Sequence, residues 1–211
     1  MSLQVKICGI TNEADAVVAA EAGADAVGLV FWSNSKRAVS LERAAAICAE
    51  LPPFITVTAL FVAPSDAEVK AVLNRVPVNL LQWHGDETPE FCEQWGLPYL
   101  KALPAADCSR LEDVMSQYPG SRGFLVDAVA NGQFGGTGHT FDWDIIPEKR
   151  SRPLVLAGGL NPANVAEAVT RVRPAAVDVS SGVERSPGVK KAEKIHQFIR
   201  AARTAAEVVV S

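Results

Sequence analysis

Eight times along this chain of 211 residues, a short β-branched run gives way to a stretch of Ala, Glu and Arg with helical spacing. The runs at 4–8, 26–31, 55–61, 80–84, 99–103, 123–127, 154–157 and 176–179 read as strands. Helices are predicted over 13–22, 41–50, 66–76, 89–95, 109–117, 143–146, 162–171 and 190–206. Start signals stand at Thr11-Asn12, Ser40, Ser65, Thr88-Pro89 and Asn161-Pro162, and Pro147 cuts the sixth helix short. Strands joined through helices pair in parallel, with the helices packed outside the sheet. A doubly wound open sheet also satisfies the alternation. Eight regular units without insertions favour closure, so the expected fold is α/β, a single-domain (β/α)8 TIM barrel over 1–211.

Side chains alternate between the faces of a strand, so parity sorts them. Leu3, Val5 and Ile7 should face the helices, while Gln4, Lys6 and Cys8 point to the barrel axis. The same reasoning sends Gln82, His84, Leu125, Asp127, Asp178 and Ser180 inward. Barrel interiors are normally filled by branched apolar residues, and ligands bind at the carboxyl ends of the strands. Polar inward groups at Cys8, His84, Asp127, Asp178 and Ser180 are therefore where chemistry belongs.

With 48% apolar and 21% charged residues the chain is a folded, soluble protein and not a disordered one. Its net charge of -4 and the lack of a basic stripe argue against nucleic acid as a partner, and an anionic ligand would need local attraction. The start MSLQVKICGIT does not resemble a secretory leader, and no apolar run approaches a membrane span. Cys8, Cys48, Cys92 and Cys108 form no C-x-x-C pair and read as free thiols of a cytoplasmic protein.

Two Gly-rich turns follow the seventh and eighth strands: Ala157-Gly158-Gly159-Leu160-Asn161-Pro162 and Ser180-Ser181-Gly182-Val183-Glu184. Glycine lets backbone N–H groups approach a phosphate, and loops after strands seven and eight are the usual phosphate site of this barrel. A longer loop containing Gly135-Gly136-Thr137-Gly138 follows the sixth strand, as suits a segment that closes over a ligand or a plain flexible connection.

Lys6-Ile7-Cys8-Gly9-Ile10-Thr11, Gln82-Trp83-His84-Gly85, Val126-Asp127, Gly135-Gly136-Thr137-Gly138, Phe141-Asp142-Trp143 and Ala157-Gly158-Gly159-Leu160 occur in that order. The ordered set, spread over the whole chain, resembles the phosphoribosylanthranilate isomerases of tryptophan biosynthesis. That resemblance implies an Amadori rearrangement of N-(5-phosphoribosyl)anthranilate to 1-(2-carboxyphenylamino)-1-deoxyribulose 5-phosphate, with no metal and no organic cofactor. It implies Asp127 as the acid and Cys8 as the base. It also implies that Arg37 meets the substrate carboxylate, that Gln82, His84 and Asp178 line the substrate side, and that Gly135, Gly136, Gly158, Gly159, Ser180, Ser181 and Gly182 hold the phosphate.

The residues suit those roles. A thiol becomes a base on ionising, which a neighbouring Lys6 would favour. An acid at Asp127 must keep a proton near neutrality, which calls for desolvation or a nearby negative charge. A guanidinium fork matches a planar carboxylate. The family's Ser-Pro-Arg segment is here Ser35-Lys36-Arg37, which makes the loop less rigid by sequence. For Asp178 a salt bridge to Lys6 or Lys101 is the alternative to a substrate contact. Two other functions remain open at this stage: a Schiff-base lyase using Lys101 or Lys6, and a non-catalytic phosphosugar-binding barrel. The chain is expected to be a monomer, with a homodimer through Phe54 or the 208–210 tail as the other option.

Overall fold

The computed structural model describes residues 2–128 and 141–210. Eight strands, β1 (Gln4–Cys8), β2 (Ala26–Val30), β3 (Thr56–Phe61), β4 (Leu80–Trp83), β5 (Tyr99–Pro104), β6 (Gly123–Asp127), β7 (Leu154–Leu156) and β8 (Ala176–Val179), close in sequence order into a barrel. Every neighbouring pair is parallel, and β1 closes on β8 with Lys6 opposite Asp178. Closure leaves no strand edge exposed. The helices outside are α1 (Glu13–Glu21), α2 (Leu41–Ala49), α3 (Asp66–Arg75), α4 (Pro89–Glu93), α5 (Leu111–Gln117), α6 (Val165–Val172) and α7 (Ala192–Val210). No helix of the described residues is long and apolar enough to cross a membrane.

The helices start where side chains satisfy their free N–H groups. Asn12, Ser40 and Thr88 each accept a bond from the first turn, and Ser65 with Glu68 forms a reciprocal capping box. The fourth helix ends at Glu93 rather than at 95, the fifth begins at Leu111 after a 3₁₀ stretch over Ala105–Arg110, and three others differ for visible reasons. The helix expected from Pro162 begins at Val165, because Asn161 Oδ1 accepts from Ala163 N and Asn164 Oδ1 from Asn161 N, which folds the segment into turns. The last helix begins at Ala192 rather than at 190, since Val189–Lys190 pairs antiparallel with Glu184–Ser186. The sixth expected helix is a single 3₁₀ turn, Trp143–Ile145.

Parity sorts the core into layers. Val5, Ile7, Leu81, Trp83, Phe124, Val126, Val177 and Val179 pack outward in the layer between strands and helices. Leu100, Ala102, Leu125, Val155 and Ala157 fill the barrel interior, and Cys8, Val30 and Leu60 cluster separately beside Trp32 and Val62. An apolar plug thus fills one part of the axis and leaves the carboxyl ends of the strands to polar groups.

Candidate active site

Cys8, Arg37, Gln82, His84, Asp127, Gly158, Gly159, Asp178, Ser180 and Ser181 all line one pocket at the carboxyl end of the barrel. It is a partly open cleft walled by both polar and apolar side chains, as suits a small-molecule site. Gly182 does not line it. A Cβ there would collide with the backbone of Leu160, so Gly182 lets the β8 turn pack onto the β7 turn. Gly135 and Gly136 lie outside the described residues. Val30, Trp32, Leu60 and Val62, which were not singled out in the sequence, form an apolar wall from the β2 and β3 side. The inward parity of Val30 and Leu60 was the available signal.

Cys8 ends β1 and is buried. Lys6, two residues back on the same face, donates to Asp178 Oδ1 at 3.0 Å, so of the two candidate lysines it is Lys6 that pairs with Asp178. Both thiol and ammonium crowd against Gly28 on the neighbouring strand. A Cβ at Gly28 would sit 2.7 Å from Cys8 Sγ and 3.1 Å from Lys6 Nζ. A glycine in mid-strand is the sequence signal for such a close approach. Burial pushes the Cys8 thiol above its ordinary value; Lys6 pulls it down but does not prevail. The lowering expected from Lys6 alone is thus outweighed by desolvation. Burial also works against the Lys6 ammonium, but Asp178 and Cys8 outweigh it and leave its pKa raised.

Gln82 and His84 share the inward face of the β4 end. The Gln82 amide donates from Nε2 to His84 Nδ1 at 2.9 Å, which leaves the proton of a neutral ring on Nε2. That atom lies 3.5 Å from Asp127 Oδ2. Gln82 Oε1 is buried and accepts no hydrogen bond among the described residues, so it is an acceptor available to a ligand hydroxyl. On the other side of Asp127, Gly158 has φ +82, and a Cβ there would lie 2.9 Å from Asp127 Oδ1. Only a glycine adopts that backbone without strain and leaves the carboxylate room.

Arg37 reaches the pocket from the β2–α2 loop. The loop is pinned without a proline: Ser35 N donates to Trp32 O, Ala38 N to Ser35 O, and Arg37 N to Ser35 Oγ. The guanidinium donates from Nε to Glu184 Oε1 at 2.7 Å and from Nη2 to Glu184 Oε2 at 2.9 Å. Glu184 also accepts from Lys190 Nζ at 3.0 Å. Burial raises its carboxyl, but Arg37 and Lys190 outweigh burial and hold it below the ordinary carboxylate range. Sequence reasoning quoted Glu184 only as part of a turn and missed both it and Lys190 as site residues.

The two turns predicted to hold phosphate meet at one side of the mouth. Gly158 and Gly159 have φ +82 and +65. The N–H groups of Gly158, Gly159 and Ser181 make no hydrogen bond among the described residues, which leaves three backbone donors for an anion. Arg37 stands beside the β8 turn, since a Cβ at Gly9 would touch both Arg37 Cδ and Ser180 Oγ, whereas the apolar wall comes from the β2 and β3 side. A ligand with two anionic groups and an apolar ring would match these donors and that wall, and Cys8 and Asp127 line the same pocket from the ends of β1 and β6. Lys101 stands elsewhere. It shares the outward face of β5 with Tyr99 and Leu103, pairs with Glu87 at 3.3 Å and does not line the pocket. Lys6 is buried and kept charged, whereas a Schiff base needs a neutral amine. Neither lysine fits the lyase alternative.

A family model described as N-(5'phosphoribosyl)anthranilate (PRA) isomerase matches residues 5–201. The chain is 50% identical over 204 residues to the N-(5'-phosphoribosyl)anthranilate isomerase of Pseudomonas putida (strain W619), covering 97% of this chain and 99% of that protein. The crystal structure of phosphoribosyl anthranilate isomerase from Thermotoga maritima matches with a TM-score of 0.83 and 41% identity, over 96% of this chain and 99% of that one. A phosphoribosyl anthranilate isomerase in complex with reduced 1-(o-carboxyphenylamino)-1-deoxyribulose 5-phosphate matches with a TM-score of 0.80 and 39% identity, over 96% of this chain and 99% of that one.

Proposed function

The chain belongs to the N-(5'-phosphoribosyl)anthranilate isomerase family, and on that premise we propose that Cys8 and Asp127 are its base and acid. The protein is an isomerase of tryptophan biosynthesis that converts N-(5-phosphoribosyl)anthranilate to 1-(2-carboxyphenylamino)-1-deoxyribulose 5-phosphate. The observation that carries the residue roles is that a thiol at the end of β1 and a carboxyl at the end of β6 line one pocket together with an arginine and a pair of Gly-rich turns.

The rearrangement needs two proton transfers. Asp127 gives a proton to the furanose ring oxygen, the C1–O bond breaks, and a protonated Schiff base forms at the anthranilate nitrogen. Cys8, as thiolate, takes the proton from C2, and the electron pair flows to the nitrogen to give an enolamine. Tautomerisation of the enolamine, the C2 hydroxyl proton being lost and C1 gaining one, then yields the ketone. The proton given by Asp127 and the one taken by Cys8 cancel in the substrate, and exchange with solvent returns Asp127 to the acid and Cys8 to the thiolate. His84, held by Gln82, sits where it keeps the Asp127 carboxyl oriented. Lys6 offsets part of the cost of forming a buried thiolate, and Asp178 holds Lys6 in place. The backbone donors of Gly158, Gly159 and Ser181 bind the phosphate, Arg37 the anthranilate carboxylate, and the Trp32–Leu60 wall its ring. Gly135 and Gly136 stand as further phosphate ligands by resemblance alone.

Cys8→Ala and Asp127→Val test the assignment. Each should abolish turnover in a fluorescence assay of phosphoribosylanthranilate generated in situ, while product binding and the circular-dichroism spectrum stay near wild type. Turnover near the wild-type rate in both variants would show that other groups move the protons. The isolated chain is read as a monomer; Phe54, almost fully exposed, is where a second copy would seat, and the mass in solution tests that reading.

A further inference from the structure

A guanidinium has two edges that can each grip a carboxylate, one of Nε and Nη2 and one of Nη1 and Nη2. In Arg37 the first edge is taken by Glu184 through bonds of 2.7 and 2.9 Å, and Nη1 makes no hydrogen bond among the described residues. Glu184 does not line the pocket, so it acts from behind Arg37. It is buried and held in turn by Lys190, whose Nζ donates to Glu184 Oε1 at 3.0 Å and to Ser180 O at 3.1 Å. Ser180 begins the turn that carries the Ser181 N–H. Gly9, at φ +70, is the passage between these parts: a Cβ there would meet Arg37 Cδ at 2.5 Å and Ser180 Oγ at 2.9 Å.

We propose that Glu184 is a positioning residue which fixes the plane of Arg37, leaves its Nη1–Nη2 edge for the substrate carboxylate, and through Lys190 ties that edge to the phosphate turn. The inference rests on Arg37 being the carboxylate ligand. A free arginine side chain samples many rotamers, and each must be given up when substrate binds. With Glu184 in place that ordering is complete before binding, and the carboxylate end is held at a fixed span from the Ser180 turn. Glu184 thereby sets selectivity for an aryl amine that carries an ortho carboxylate, without touching the substrate.

The test compares N-(5-phosphoribosyl)anthranilate with N-(5-phosphoribosyl)aniline, which lacks the carboxylate. In Glu184→Gln the KM for the first should rise roughly tenfold with kcat within about threefold, and the preference for it over the second should fall by a similar factor. Glu184→Asp keeps the charge but withdraws it by one methylene, and should show the same split; it serves if the Gln variant does not fold. Arg37→Lys separates the two readings. If Arg37→Lys keeps the preference, the assignment of Arg37 itself fails. If Arg37→Lys loses it while both folded Glu184 variants keep it, only the positioning role is overturned. A loss of kcat at unchanged KM in the Glu184 variants also overturns it.

Discussion

Gly28→Ala is the sharpest perturbation of the proposed base that leaves every functional group in place. The added methyl would lie 2.7 Å from Cys8 Sγ, 3.1 Å from Cys8 Cα and 3.1 Å from Lys6 Nζ. Non-bonded heavy atoms settle at about 3.5–4.0 Å, so the thiol must retreat by about 1 Å. Gly28 does not have a positive φ, and alanine therefore brings no backbone strain; the effect is one of contact alone. Overpacking of this kind costs about 1–3 kcal/mol, and at about 2–4 °C per kcal/mol in a chain of this size the Tm should fall by about 2–12 °C. A misplacement of about 1 Å at a reacting atom costs up to about 100-fold in rate. The fluorescence assay should accordingly show kcat down by about 10- to 100-fold, with KM changed far less because the anion contacts are made elsewhere in the pocket. A variant that melts lower but retains kcat within about twofold would refute the idea that the position of Cys8 sets the rate.

Two further outcomes follow from the thiols. Because burial raises the Cys8 pKa, the thiolate grows with pH through neutrality, and kcat/KM should keep climbing up to and beyond the ordinary thiol range. A flat profile between pH 7 and about 9 would exclude Cys8 as the base. Burial also holds the Cys92 thiol up to about 12 and the Cys108 thiol up to about 11. The unfolded chain releases those protons near pH ~8.5 while the native state keeps them, so stability present below that pH is lost as pH rises further. The loss should be about 1.4 kcal/mol per pH unit for each thiol between pH about 9 and 11, read from urea midpoints. Cys108→Ala should make that slope shallower by one thiol's share, and parallel slopes would contradict the account.

Much of this molecule was legible in the order of its residues. Strand parity, a local property of extended chain, sent Gln82, His84, Asp127 and Asp178 to the mouth, where they line the pocket. Caps at Asn12, Ser40, Ser65 and Thr88 were equally local, since each side chain bonds to a backbone group three residues on. The start of α6 was misread because Asn161 and Asn164 each accept from a separate backbone N–H and hold the segment in turns, and sequence alone does not say that these local bonds prevail over the helix.

What only the tertiary structure decided are the pairings made across long stretches of chain and the balance of opposing electrostatic effects. Lys6 meets Asp178 at a separation of 172 residues, and Arg37 meets Glu184 at 147; barrel closure of β1 on β8 brings both pairs together. The same closure buries Cys8, so that desolvation outweighs the lysine two residues away, a contest of terms that adjacency in sequence does not reveal. The eightfold alternation determined a parallel α/β sheet, its regularity favoured closure, and parity marked which side chains turn inward, because secondary structure and parity are set locally. Which charges neutralise one another inside the site, and what room a missing Cβ leaves for a thiol, depend on distances that exist only once the barrel is closed.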